Sequence, residues 1–208
     1  MIVASLTPDE LGALSALEWE AFGQGAPLLE RELFGWEKRL FADWIRSKDS
    51  ILVVGAGTGR DVMPLLEAGH AITALDIAPR ALEKLRAQAV ARGLPVETLH
   101  ASIAAAELRP ESFDVVLFSW FSFAYLQGVE ARRSALARSA TALRSGGRIL
   151  LSYPLRGPAR PSASPAPWLA AVAARFLGGV RAEKGDEFMV SGTAKEPGVF
   201  FTHAFEPA

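Results

Sequence analysis

The chain has 208 residues, half of them hydrophobic, and a formal net charge of -1. This fits one globular domain with a sizeable core, and it argues against a disordered tail or an electrostatic binder of nucleic acid. Cysteine is absent, which excludes disulfides and thiolate chemistry. No apolar run is long enough to span a bilayer, and the N-terminus lacks a signal-type apolar region, so the expectation is a cytoplasmic protein.

Thr7-Pro-Asp-Glu10 combines a capping residue, a proline at the first helical position and an acid three after the cap, and so starts a helix carrying Leu11, Leu14 and Leu17 on one face. Gly23 and Gly25 break it, and a second helix is expected from about Pro27 to Arg46, with Leu29, Leu33, Trp36, Leu40 and Trp44 at helical spacing. Trp19, Phe22 and Trp36 suit either core packing or a segment folded over a ligand as a lid. Ile51 to Val54 is a continuous apolar run, the pattern of a strand buried on both faces. Gly55, Gly57 and Gly59 follow at alternate positions ahead of a helix over Arg60 to Ala68. Alternate glycines there let a ligand approach the main chain closely, which points to a nucleotide-like molecule.

Gly69 stops that helix, and Ala71 to Leu75 is a second strand ending on Asp76. A carboxylate at that tip can accept two hydrogen bonds side by side from a ribose, although a helix cap ahead of Pro79 is the plainer reading. A helix over Pro79 to Arg92 follows, then strands at Val96 to His100, Phe113 to Ser119 and Gly146 to Tyr153, with a helix over Val129 to Leu143 before the last. This alternation predicts an α/β fold with a doubly wound, mostly parallel sheet and a ligand beyond the carboxyl ends of its strands. Arg132, Arg133, Arg138 and Arg144 read as a solvated helix face. Pro154 to Pro167 reads as a loop, either a connector or the border of a substrate pocket.

Val53-Val-Gly-Ala-Gly-Thr-Gly-Arg-Asp61, Asp76, Phe113-Asp-Val-Val-Leu-Phe-Ser119 and Leu143-Arg-Ser-Gly-Gly-Arg-Ile-Leu-Leu151 together resemble a class I, Rossmann-like S-adenosylmethionine-dependent methyltransferase of the small-molecule type, over about residues 48 to 153. A dinucleotide fingerprint would want glycine at position 60, where this chain has arginine. The resemblance implies an N-terminal helical extension or lid at 1–47 and a cofactor-binding domain at 48–208. It also implies that Gly55, Ala56, Gly57 and Gly59 lie along the methionyl part of the cofactor, Asp76 holds the ribose, Ile77 and Ile103 flank the adenine, and Ser119 and Trp120 border the transferring methyl. The family often carries an acid after the third strand to accept from the adenine amino group, whereas this chain reads His100-Ala-Ser-Ile103, so that Ser102 or a backbone group must substitute.

Because a sulfonium is an activated methyl donor, positioning and exclusion of water supply much of the rate, and a base is needed only if the acceptor loses a proton. Candidates for that base are Tyr125 and His203, each with a structural role as the plainer alternative. The expected partner is a small-molecule acceptor, with no nucleic acid or membrane involved, in a monomer or homodimer that releases S-adenosylhomocysteine. The rivals are a non-catalytic cofactor-binding or interaction protein on the same fold and a nicotinamide-dependent oxidoreductase. Near the end, Pro167 to Leu177 suits a helix, and Asp186 to Val190 and Val199 to Phe205 suit two strands. Two readings stay open: these strands complete a seven-stranded sheet, or the chain lacks a last helix and closing strands and leaves an edge for association.

Overall fold

A computed structural model describes residues 8–25, 32–156, 183–193 and 196–207. The helix expected at Pro167 to Leu177 and the Thr7 cap lie outside them, as does the side chain of Phe22. Helix α1 (Pro8–Gly25) runs through Gly23 without a break. Helix α2 (Gly35–Trp44) starts later than its apolar spacing suggests. Glu37 sets that start, because its carboxylate reaches back to accept from the Phe34 amide at 2.7 Å. The expected apolar stripe also divides: Leu40, Phe41 and Ile45 pack on the core, while Trp36 and Trp44 stay exposed.

Strands β1 (Ser50–Val54), β2 (Ala71–Asp76), β3 (Glu97–His100), β4 (Phe113–Phe118) and β5 (Leu143–Leu151) form one sheet in the order β3-β2-β1-β4-β5. Every pairing in it is parallel. Helices α3 (Val62–Glu67), α4 (Pro79–Ala91) and α5 (Val129–Ala142) connect the strands. Alternating β1 side chains divide the core. Ile51 and Val53 join Leu66, Leu82 and Leu85 on one face, and Leu52 and Val54 join Phe118, Phe123 and Ala135 on the other. The strand order reverses between β1 and β4, which opens a crevice beyond their carboxyl ends.

Two expectations are corrected. Strands β6 (Asp186–Thr193) and β7 (Glu196–His203) form their own antiparallel pair and do not extend the main sheet to seven strands. Among the described residues they meet its end through a parallel bridge between Leu155 and Phe205, and α1 packs against β7, which buries Phe201 without recourse to the β5 edge. The α5 arginines are not simply a solvated face either. Arg132 is buried and pairs with Glu183, and Arg138 donates to the carbonyls of Ala104 and Ala106 at 2.9 and 2.7 Å. The Arg138 bonds anchor the loop after β3, since a guanidinium offers several donors in fixed geometry.

Candidate active site

The turn after β1 carries three glycines in positive φ, each with its own surroundings. Gly55 (φ +73) lies against Ser122, whose Cβ would be 2.5 Å from an added Cβ. Gly57 (φ +52) faces open space. Gly59 (φ +101) lies under Leu85, whose Cδ1 would be 2.4 Å from an added Cβ, so this glycine serves helix packing and is not on the cavity wall. Its sequence spacing resembled that of the other two because packing and ligand approach both favour a missing side chain.

A cavity of about 510 Å³ opens beyond the strand ends. Gly55, Ala56, Gly57, Asp76, Ile77, Ser102, Ile103, Ser119 and Trp120 all lie on its wall, as does Tyr125. Asp76 is buried, and its two carboxylate oxygens accept from the amides of Gly57 at 2.7 Å and Ala78 at 2.9 Å. The carboxylate therefore braces the glycine turn from the tip of β2. Each of its oxygens carries two lone pairs, so this bracing is compatible with accepting ribose hydroxyls.

Past β4 the chain enters a 3-10 segment (Ser119–Tyr125) in which Trp120 (φ 32, ψ 66) and Phe121 (φ 64, ψ 11) are both left-handed. Consecutive non-glycine residues in that region are strained and persist only where surrounding contacts hold them. Here the Phe121 amide donates to Ser152 Oγ at 3.1 Å, Ser122 Oγ donates to the Val54 carbonyl at 2.9 Å, and Trp36 stacks on Phe121. Trp120 is thereby held at the cavity beside the Arg60 guanidinium, 5.8 Å from its ring.

Sequence reasoning missed a buried ionic cluster next to this segment. Arg60 binds both carboxylate oxygens of the fully buried Glu37, one at 2.9 Å, and an Arg60 nitrogen lies 2.9 Å from Asp61 Oδ1 as an ion pair without hydrogen-bond alignment. Ser119 Oγ donates to Asp61 Oδ2 at 2.5 Å. Burial pushes the Asp61 carboxyl above its ordinary value; Arg60 and the Ser119 hydroxyl pull it down without cancelling that, and the charge of Glu37 adds to the rise. Burial alone would lower Arg60, but its bonds to Glu37 and the charge of Asp61 outweigh that and raise it. The signal available in sequence was a charged pair in a turn otherwise built of small residues, with no hint that Glu37, on another helix, would meet it.

Helix α1 closes the far side of the cavity with Gly12, Ser15 and Trp19, and Phe201 of β7 joins them. The rings of Trp19 and Tyr125 lie 4.7 Å apart. Burial raises the Tyr125 phenol above its usual value, which keeps it protonated at neutral pH and makes it a hydrogen-bonding group in preference to a base. His203 is not on the cavity wall. It is buried against Phe205, with Nδ1 2.6 Å from Asp186 Oδ1. The two residues considered as a base therefore stand apart, one at the cavity and one behind it.

Residues 51–147 match a family model described as a methyltransferase domain. No curated protein matches the chain. Among solved structures, an S-adenosylmethionine-dependent methyltransferase from Methanosarcina mazei is 17% identical, over 85% of this chain and 80% of that one, with a TM-score of 0.61. The glycopeptide N-methyltransferase MtfA is 21% identical, over 83% and 73%, with a TM-score of 0.56. A protein solved in work on conversion of a disulfide bond into a thioacetal group during echinomycin biosynthesis is 23% identical, over 92% and 94%, with a TM-score of 0.57. At such identities the structural likeness establishes the fold, and the family match rests on the segment that contains the glycine turn, Asp76 and β4. Residues 51–147, a little under half of the chain, are thus similar to a methyltransferase domain, and the fold is the Rossmann-like one of the S-adenosylmethionine-dependent methyltransferases it resembles.

Proposed function

We propose that the protein transfers a methyl group from S-adenosylmethionine to a small-molecule acceptor, mainly by positioning and desolvation. The observation that carries this reading is one continuous cavity that runs from Ala101–Ala104, past Asp76 and the glycine turn, to Trp19, Trp120 and Tyr125. A wall of small residues at one end, a carboxylate in the middle and aromatic rings at the other end suits a nucleoside joined to an amino-acid tail, with room for a reacting partner near the rings.

When bound, the cofactor supplies an activated methyl as a sulfonium. The chain's own residues do the rest. Gly55 and Gly57 let the main chain lie against the ligand, Asp76 accepts from the ribose, and Ile77 and Ile103 flank the base. Ser119 and Trp120 border the methyl. Trp19 and Phe201 exclude water over the site, and α1 within residues 1–47 acts as its lid, which strengthens every polar contact beneath. Tyr125, neutral through burial, orients the acceptor by a hydrogen bond.

Calorimetry with S-adenosylhomocysteine tests the cofactor half of this reading. Mass spectrometry of a broad metabolite panel incubated with the protein and S-adenosylmethionine tests the other half. A chain that binds the cofactor but methylates nothing in the panel favours a non-catalytic binding protein on the same fold. A chain that binds no cofactor removes both readings.

A further inference from the structure

Methyl transfer to an acceptor that carries a hydrogen leaves one proton to be placed. Neither residue first considered for it is suited: Tyr125 holds its own proton, and His203 lies behind the cavity wall. The buried cluster beside the wall offers another place, because two carboxylates there share one guanidinium. Arg60 directs its aligned donors to the two oxygens of Glu37, which also accepts from the Phe34 amide. Asp61, only 2% exposed, is left with an ion pair to Arg60 at 2.9 Å that lacks hydrogen-bond alignment, and its Oδ1 accepts no hydrogen bond among the described residues. A proton relieves this excess of buried negative charge, which is the direction in which burial, and then the charge of Glu37, push the carboxyl.

Asp61 reaches the cavity through one neighbour. Ser119 Oγ donates to Asp61 Oδ2 at 2.5 Å, and Ser119 stands on the cavity wall where the proposed function places the transferring methyl. A hydroxyl donates, accepts and rotates to suit, so this hydrogen bond can reverse its direction. We propose that Asp61, acting through the Ser119 hydroxyl, takes the proton released in methyl transfer, and that it is ionised when the cavity holds the sulfonium and protonated when it holds the thioether product. The proposal rests on the cofactor reading above and adds a route for the proton to it.

The step balances. The acceptor's lone pair forms the new bond to the methyl carbon, and the carbon–sulfur bonding pair returns to sulfur. The acceptor's proton passes to Ser119 Oγ as the serine's own proton passes to Asp61 Oδ2. The positive charge lost at sulfur is matched by the negative charge lost at Asp61. A cation beside Ser119 favours the ionised carboxyl, and loss of that cation favours the protonated one. The other charged groups facing Asp61 are Arg60 on the same turn and Glu37 on α2, and both are present with either ligand.

Calorimetry in buffers of differing ionisation enthalpy counts the protons exchanged on binding and needs no acceptor. The window is about pH 5 to 7, above the ordinary carboxyl range and below that of an α-amino group. There S-adenosylmethionine should release roughly half a proton or more per site beyond S-adenosylhomocysteine. Asp61→Asn, which keeps the shape and does not ionise, should erase that difference. No difference in the wild-type protein means that the carboxyl is in one state with both ligands, and this overturns the proposal, as does a difference that persists in folded Asp61→Asn. Ser119→Ala removes a hydrogen bond to the ionised carboxyl and should move the difference to higher pH; an unchanged profile takes Ser119 out of the path and also overturns the proposal. The wild-type comparison stands even if neither variant folds. Wild-type protein that binds neither ligand defeats the cofactor reading itself, a result distinct from binding of both with equal proton exchange.

Discussion

At the scale of single residues, two glycines two positions apart answer to different demands. Gly59→Ala would drive a Cβ to 2.4 Å from Leu85 Cδ1 at a φ of +101°. We expect a stability loss of about 2 kcal/mol from overpacking and strain together, measured by denaturant unfolding. An added Cβ at Gly57 meets no protein atom, so Gly57→Val, which projects from the cavity wall, should abolish cofactor binding at a stability cost set by the backbone strain at φ +52° alone, less than that of the Gly59 change. Equal losses of stability in the two variants would contradict this division. Asp76→Ala should weaken S-adenosylhomocysteine binding by about 1.5–3 kcal/mol, the range for hydrogen bonds to a charged group. Part of that loss arises indirectly, since the Gly57 amide loses its acceptor and the turn its brace. Unchanged affinity by calorimetry in a folded variant would remove Asp76 from the site.

At the scale of elements, Asp114 on β4 ties three strands together: it accepts from the Ser50 amide that opens β1 at 2.9 Å and from Arg144 on β5 at 2.8 Å. The Ser50 amide, first, holds this carboxyl below its ordinary value; burial opposes it, and Arg144 and then Arg148 lower it further. A depressed carboxyl contributes stability that is fully present above its unfolded pKa and is lost as pH falls through the lower, folded one. Asp114→Asn should therefore cost about 1 kcal/mol at neutral pH, discounted for its partial exposure, and nothing once both states are protonated. Melting curves of the two proteins that stay apart in strong acid would refute the assignment.

What could be read in the chain without its structure belongs mainly to this scale. Four of the five parallel strands were legible because each contains an apolar run, and β3, with Leu99 as its one apolar residue, by its place after the Gly93 stop of a helix; the crevice followed from their alternation with helices. The left-handed pair Trp120–Phe121 was not legible, because aromatic side chains do not favour that backbone and it is held by partners from distant parts of the chain, Ser152, Val54 and Trp36 among them. The β6–β7 pair was visible as strands but not as a separate sheet. Local pattern says that a strand needs a partner, and it does not say that α1 will cover the result. For the candidate site, Asp76 and two of the three glycines were legible, whereas Glu37 met Arg60 only through packing across 23 residues of sequence.

At the scale of the whole molecule, a ligand that binds only the folded state raises stability by mass action, by about 2.7 kcal/mol at a hundredfold excess over its dissociation constant. For a protein of this size that corresponds to a rise in melting temperature of roughly 5–10 °C. Saturating S-adenosylhomocysteine should produce it, and a reduced nicotinamide dinucleotide should not. The reverse outcome would favour the oxidoreductase reading. A near-zero net charge further implies that methyl transfer, once an acceptor is found, depends little on ionic strength.

The central place of β1 has a consequence in time. Its neighbours are β2, which follows at once, and β4, which begins only at residue 113. At a synthesis rate of about 5–20 residues per second, the β4-facing edge of Ile51–Val54 waits on the order of 3–12 s before its partner leaves the ribosome. For that interval a short, uncharged, β-branched edge is presented to every other nascent chain nearby, the composition most prone to pair with the wrong strand. The segment that leads into the glycine turn of the finished protein is thus also the one whose shelter arrives late.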